Sequence, residues 1–162
     1  MAEQVKSKEQ VKELRENEKK WSKPLMDSGF TVFPSVILER QKALGLSPLE
    51  VNILLFLCTF WWTKDSRPRP SINTIAEAVG CTPRHVTRKI SGLVAAGLIE
   101  RHERKSSVSG NLPNEYSFDG LIKQTTPFAK AKIEERQAKA AAKNAEVAKK
   151  GKPNLRVVQD DD

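Results

Sequence analysis

Residues 71–97 contain the spacing that most restricts how this chain can fold. Ser71 and Thr82 each precede a stretch of helical spacing, and Pro83 stands at the first position of the second stretch, a favoured place for proline. Gly80 closes the first stretch, because glycine adopts a left-handed turn without steric cost. The segment therefore predicts two short helices joined by a tight turn at Gly80.

The apolar residues of this segment determine which side of each helix is buried. Ala76 is a small residue at the point where the two helices are expected to cross closely. Val86, six residues after the glycine, fills the angle between them, and Ile90 and Leu93 continue its face at helical spacing. The second helix, predicted over 83–96, therefore has a polar outward face that consists of Arg84, His85, Thr87, Arg88 and Ser91.

Further helices and two strands are predicted around this pair. Apolar spacing predicts one helix over 34–44 and another over 48–63, and the apolar run of the second is far shorter than the roughly 20 residues of a membrane span. The RPRP sequence at 67–70 predicts an extended link. Strands are predicted at 98–105 and 116–118, with the polar stretch SSVSGNLPNE as a long hairpin connection.

This order of elements resembles the winged helix-turn-helix family. The resemblance covers residues 34–120 and is carried by LSPLEVNILLFL, RPRPSINTIAEAVGCTPRHVTRKISGLVAAGLIERHE and NEYSF. More narrowly, it is a resemblance to helix-turn-helix proteins of plasmids, phages and integrative elements, many of which are replication initiators or replisome organisers and others regulators. It implies a mainly α fold with a small β-hairpin wing, in which a winged helix-turn-helix domain is flanked by charged helical arms.

The resemblance implies binding to double-stranded DNA. A recognition helix presents its outward N-terminal residues to base edges in the major groove, where arginine reads guanine through two acceptors. The expected base contacts are Arg84, His85, Thr87, Arg88 and Ser91. Helix starts and the wing, predicted over 99–118, suit phosphate oxygens. The expected phosphate contacts are Ser71, Asn73, Thr82, Lys89, Arg101, Arg104, Lys105 and Ser106.

We expect a regulator of transcription, with two alternatives. One is a replication-initiation or partition factor of the plasmid or phage type that binds origin repeats. The other is an adaptor whose winged helix contacts protein and whose charged arms are docking sites for its partners. Because a single recognition helix covers too few base pairs to be selective, a dimer or other homo-oligomer on DNA is expected.

The composition agrees with a nucleic-acid partner. A net charge of +8 and an isoelectric point of about 9.6 suit a polyanion. The charged N-terminus lacks the apolar stretch of a secretion signal, and the two cysteines, Cys58 and Cys81, predict reduced thiols in the bacterial cytosol or nucleoid. The sequence has no acid–base pair, nucleophile constellation or metal-ligand spacing, so no enzyme activity, metal, cofactor, small-molecule ligand or membrane association is predicted.

Charged segments flank the domain, which is predicted over 24–127. Residues 1–23 predict either a helix with a thin apolar stripe or a solvated arm. Residues 128–162 predict a basic helix rich in alanine and lysine, followed by an acidic tip, and the basic charge would add to DNA affinity. One of Trp61 and Trp62 is expected to enter the core, while the other lies either under the N-terminal arm or in a dimer contact.

Overall fold

The structure, a computed structural model, describes residues 8–106 and 110–149. Within those residues it is mostly helical with one antiparallel hairpin, which confirms the predicted fold class, a mainly α winged helix-turn-helix domain with charged helical arms. In chain order the elements are α1 (Lys8–Trp21), α2 (Lys23–Asp27), α3 (Ser35–Glu39), α4 (Pro48–Cys58), α5 (Ile72–Val79), α6 (Pro83–Ala95), β1 (Glu100–Ser106), β2 (Gly110–Ser117) and α7 (Asp119–Lys149).

The core lies where α4, α5, α6 and the hairpin meet. Each of these elements, or the residues next to it, contributes side chains that are 2% exposed or less, and each large apolar side chain buried in this way stabilises the fold by about 1.5–3 kcal/mol. The largest of them are Ile53, Leu54, Leu57, Ile75, Val86, Ile90, Leu93, Leu98, Ile99 and Tyr116. This shared core holds α6 rigidly against α4 and α5.

The turn between α5 and α6 has the predicted geometry. The Ser71 side chain accepts a hydrogen bond from the backbone N–H of Thr74 at 3.0 Å, which caps the start of α5. Gly80 ends α5 in the left-handed conformation, with φ 68° and ψ 37°, and the N–H of Cys81 bonds to Ala76 O at 2.9 Å. These local signals explain why the sequence predicts both helices.

Helix α4 begins with a capping box and ends earlier than predicted. The backbone N–H of Ser47 donates to Glu50 Oε2 at 2.7 Å, and Pro48 occupies the first turn. After Cys58, the next three backbone N–H groups bond to carbonyls three residues back, at 3.1 Å each. These tighter turns end the helix, so the predicted extension to residue 63 is wrong.

Helix α3 is also shorter than predicted, since it ends at Glu39 rather than at residue 44. Arg40 leaves helical geometry, with φ −111° and ψ 14°, and residues 40–45 form turns. Gly45 closes them with a positive φ of 68°. The turns lead directly into the capping box of α4.

The second strand of the hairpin is longer than predicted and the connection is shorter, whereas β1 begins at Glu100, two residues later than predicted. Strand β1 pairs with β2 along most of its length, with a register shift between His102 and Arg104. The prediction that residues 110–115 belong to a polar loop is therefore wrong. These residues lack the β-branched side chains typical of a strand, and they include a proline, which strands usually exclude. Their pairing with β1 depends on backbone hydrogen bonds, so the sequence gives no strand signal here.

Helix α7 runs continuously through the boundary predicted at 127/128. Its sequence contains Pro127, which normally marks a helix end, yet the helix continues for more than twenty residues beyond it. Gln124 Nε2 donates to the carbonyls of Ala96 and Gly97, at 3.0 and 3.1 Å, and so caps the end of α6. Lys132 forms an ion pair with Glu39 of α3 at 2.5 Å. The domain and the basic segment therefore share one helix.

Candidate nucleic-acid interface

Helix α6 presents one buried face and one exposed face. Val86, Ile90 and Leu93 are buried against α4 and α5. On the opposite side the structure places the five predicted base-contact residues, of which His85 is half-buried and the other four are exposed: Arg84, Thr87, Arg88 and Ser91. The division between core and surface along this helix is the one that the sequence predicts.

Arg84 and Arg88 lie one helical turn apart on this exposed face. Within the residues that the structure describes, no carboxylate lies within 4.0 Å of either guanidinium. Both side chains therefore keep their full set of donors. The hydroxyl of Thr87 differs, since it donates to Pro83 O at 2.9 Å and retains only acceptor capacity.

Lys89 lies on the flank of α6 and has partners inside the protein. Its ammonium is 3.1 Å from Ser47 Oγ and 3.4 Å from Glu50 Oε1, and its side chain is only 26% exposed. Partial burial raises the pKa of Glu50, but hydrogen bonds from Ser47 and the charge of Lys89 outweigh it, so this pKa lies below its ordinary value. Lys89 thus connects α6 to the start of α4.

The starts of α5 and α6 carry three more of the predicted phosphate contacts. Ser71 caps α5, and Thr82 Oγ1 accepts from the backbone N–H of His85 at 3.3 Å to cap α6. Asn73 is exposed in the first turn of α5. The N–H groups and the dipole at the start of each helix favour an anion there.

The remaining predicted phosphate contacts lie on β1. Arg101 is exposed opposite Tyr116 of β2, and Arg104 is half-buried with its Nε 4.0 Å from Glu115 Oε2. Lys105 and Ser106 belong to β1, but their side chains lie outside the described residues. The predictions for these two side chains therefore stay predictions.

Sequence reasoning missed two basic residues beside the hairpin. Arg67 Nη1 lies 3.5 Å from Glu115 Oε1, and Arg69 Nε lies 3.0 Å from Glu115 Oε2. The RPRP segment reads as a linker, yet the alternation of arginine and proline was a usable signal. In an extended chain, alternate residues face the same side.

Two further observations concern the described part of the chain. None of its helices is long and apolar enough to cross a membrane. Nor do three His, Cys, Asp or Glu side chains in residues 8–106 and 110–149 come close enough to hold a metal ion.

Comparison with known proteins places this arrangement among helix-turn-helix domains. Residues 44–99 match the family model for a helix-turn-helix domain. No curated protein matches the chain. The N-terminal domain of DnaD protein from Geobacillus kaustophilus HTA426 has a TM-score of 0.51 at 16% identity, over 76% of this chain and 96% of that chain.

Two regulators have lower scores. The S. aureus MepR–DNA complex has a TM-score of 0.42 at 16% identity, over 85% of this chain and 94% of that chain. The multiple antibiotic-resistance repressor MarR from Listeria monocytogenes has a TM-score of 0.38 at 17% identity, over 90% of this chain and the whole of that one.

The family match spans α4, α5, the turn and α6, which are the elements that build the exposed arginine face. The likeness to the DnaD domain concerns the fold alone, and it covers a larger share of this chain than the family match does. The family match also agrees with the prediction that the chain is not an enzyme. The chain therefore contains a helix-turn-helix domain of the winged type.

Proposed function

We propose that this protein binds double-stranded DNA in a sequence-specific manner and acts as a regulator of transcription. The observation that carries the proposal is the pair Arg84 and Arg88, exposed one turn apart on α6, with no carboxylate within 4.0 Å among the described residues. A structural role for an arginine normally involves an ion pair or a stacked ring. Two guanidiniums on one helix face, both without a carboxylate partner in the described part of the chain, suit guanine edges, which offer each of them two acceptors.

The geometry of α6 supports insertion into a major groove. A groove about 12 Å wide admits one α-helix, and the first half of the recognition helix reaches the bases. In this arrangement Arg84 and Arg88 contact bases, and Ser91 and Thr87 lie beside them. The capped starts of α5 and α6 hold phosphates on either side.

A homodimer is the proposed DNA-binding form, and an exposed apolar face is its proposed contact. Trp61 packs on Phe118, with ring centroids 5.0 Å apart, whereas Trp62 is 76% exposed. The N-terminal arm therefore covers Trp62 only in part. Cover by this arm is one of the two roles predicted for the outer tryptophan. Other large apolar side chains near the arm are also more than half exposed: Trp21 at 63%, Leu25 at 57%, Phe30 at 55% and Val32 at 81%.

The size of this apolar face suits a second copy of the chain. A large aromatic side chain can bury roughly 150–250 Å². Two copies that covered these five residues on each other would remove on the order of 1,000 Å² from water, which approaches the range of specific protein interfaces. A dimer would also supply two copies of α6, which a selective DNA site requires.

Selection of bound sites from random duplex DNA tests the proposal. The protein should enrich one sequence, arranged as an inverted repeat if two copies bind symmetrically. The variant Arg84→Ala/Arg88→Ala should enrich no sequence. Lys143→Ala, an equally exposed basic position on α7, should enrich the same sequence as the unaltered protein.

Three results would argue against this function. Failure of the unaltered protein to enrich any sequence would favour an adaptor that contacts protein. Unchanged enrichment by the double variant would remove α6 from the interface. Enrichment of short direct repeats would favour a replication-initiation or partition factor over a regulator.

A further inference from the structure

Three guanidinium groups meet a single carboxylate on the hairpin. Glu115 of β2 lies 3.5 Å from Arg67, 3.0 Å from Arg69 and 4.0 Å from Arg104, measured between side-chain nitrogen and oxygen atoms. The Glu115 side chain is only 18% exposed, whereas Arg67 and Arg69 are 42% and 51% exposed. The carboxylate thus lies beneath the arginines, and the guanidiniums face solvent.

The extended RPRP segment positions two of these arginines. The backbone N–H of Tyr116 donates to Pro68 O at 3.0 Å, so residues 67–70 lie along β2. Pro68 and Pro70 are buried on one side of this segment, which leaves Arg67 and Arg69 together on the other. Two prolines also restrict the backbone, so the segment loses little backbone conformational entropy when these arginines bind a ligand.

The charges in this cluster do not balance. Within residues 8–106 and 110–149, Glu115 is the one carboxylate within 4.0 Å of these three guanidiniums, so the cluster has a net charge of about +2. A carboxylate accepts about four hydrogen bonds, while three guanidiniums offer about fifteen donors. An ion pair that only joins the linker to the hairpin would need one arginine. The excess of oriented donors instead suits a chain of phosphates.

The cluster is adjacent to the proposed DNA interface. Arg69 precedes by two residues Ser71, which caps α5. Arg104 and Ser71 both line a cleft of about 450 Å³ between the start of α5 and the hairpin. A DNA backbone that passes the start of α5 would therefore reach these arginines while it stays on the surface of the domain.

We propose that Arg67, Arg69 and Arg104 form a second phosphate-binding surface, which holds duplex DNA beside the groove that α6 enters. Glu115 holds the three guanidiniums together and competes with phosphate for them. This inference rests on the proposed function, because the DNA backbone reaches the surface when α6 is in its groove. It adds a contact that does not depend on sequence.

The salt dependence of affinity for duplex DNA of fixed length and random sequence tests this surface. The logarithm of affinity falls against the logarithm of salt concentration with a slope of about −0.9 per phosphate contacted. Arg67→Gln/Arg69→Gln should therefore reduce the magnitude of the slope by about 1.8. Arg67→Lys/Arg69→Lys keeps both charges and should retain most of the slope. Lys20→Ala, at an exposed basic position on α1, serves as the control away from the surface and should leave the slope unchanged.

A second variant separates phosphate binding from a purely structural tie. Glu115→Gln keeps an acceptor and removes the competing charge, so it should strengthen binding to random duplex DNA several-fold at low salt. If the arginines only fasten the linker, Glu115→Gln should lower the melting temperature without strengthening binding, and the glutamine pair should leave the slope unchanged. Either result would overturn the proposal.

The outcome is distinguishable from failure of the proposed function. Arg84→Ala/Arg88→Ala could leave sequence enrichment intact while Arg67→Gln/Arg69→Gln reduces the slope. In that case the second phosphate-binding surface is supported and the proposed role of α6 is wrong. If the glutamine pair abolishes enrichment without changing the slope, the surface is wrong and these residues act on specificity.

Discussion

Gly120, in the first turn of α7, lies directly against Gly97, which follows α6. A Cβ atom on Gly120 would overlap the carbonyl oxygen of Gly97 and lie 3.1 Å from the carbonyl oxygen of Leu98. Gly97 itself adopts a positive φ of 64°. The absence of a side chain at Gly120 thus allows the backbone of the long helix to meet the backbone that follows α6.

Replacing Gly120 with alanine should destabilise the protein by about 1–3 kcal/mol, because backbone atoms must move to admit the methyl group. Gly92→Ala is the matched control. Its new Cβ would meet only a Glu50 side-chain oxygen, at an ordinary 3.6 Å, and alanine favours a helix interior by about 0.5–1 kcal/mol. Denaturant unfolding of both variants measures the difference. Equal stabilities for the two variants would contradict the close approach.

The link between Lys89 and Glu50 should make stability depend on pH. The folded state lowers the pKa of Glu50, so its ionised carboxylate contributes stability above the pKa of the unfolded chain, and that stability is lost as pH falls through the folded-state pKa. Glu50→Gln keeps the capping geometry but lacks this contribution. The free energy of unfolding of this variant should therefore fall below that of the unaltered protein by the largest amount near neutral pH. The difference should shrink in acid, as measured by unfolding at several pH values. A deficit that is constant with pH would contradict this.

Lys89→Met should reduce stability by about 1 kcal/mol, because it removes the partner of a partly buried carboxylate. It should lower DNA affinity less than Arg88→Met, which removes a neighbouring charge that no carboxylate of residues 8–106 and 110–149 approaches within 4.0 Å. Unfolding and DNA titration of both variants give the comparison. A larger loss of affinity for Lys89→Met would contradict this expectation and support the prediction that Lys89 contacts phosphate.

The two cysteines should react at very different rates with thiol reagents. Burial raises the pKa of Cys58 to about 11, so at pH 8 only about one thiol in a thousand is ionised. Cys81 lies half-buried in the turn before α6. Peptide mapping after brief labelling should find Cys81 modified and Cys58 intact until denaturant is added. Equal labelling of both in the folded protein would contradict the packing of α4.

Making the apolar face polar should separate the proposed dimer. Trp62→Ser/Val32→Ser removes two of its most exposed side chains, and sedimentation equilibrium should then give the mass of one chain where the unaltered protein gives that of two. Ile133→Ser, a 54% exposed apolar position on α7, should leave the dimer intact. A monomeric unaltered protein, or a dimeric double variant, would contradict the proposed contact.

The sequence predicts the α5–turn–α6 unit well because its signals are local. Ser71, Thr82 and Gly80 each act within one turn of the backbone, and the burial of Val86 follows from helical period. The exposed face of α6 follows by elimination. Element ends are less predictable where tertiary contacts decide them. Pro127 would normally end a helix, yet α7 continues past it.

The arginine surface depends on contacts between distant segments. Glu115 meets Arg67, Arg69 and Arg104 only because β2 pairs with both the linker and β1, and the polar residues 110–115 give no strand pattern. The inward position of Lys89 depends likewise on Glu50, which is far away in sequence. Neither pairing is visible in local spacing, so residue type alone cannot tell a phosphate contact from an internal ion pair.

The most direct measurement of the central claim is the ratio of affinities for the selected DNA site and for a scrambled duplex at one salt concentration. A bidentate arginine–guanine contact contributes about 1–3 kcal/mol of discrimination. Arg84→Ala/Arg88→Ala should therefore reduce the ratio by roughly thirtyfold or more, at about 1.4 kcal/mol for each factor of ten. Lys143→Ala should leave the ratio unchanged. A double variant that keeps the ratio of the unaltered protein would contradict base recognition by α6.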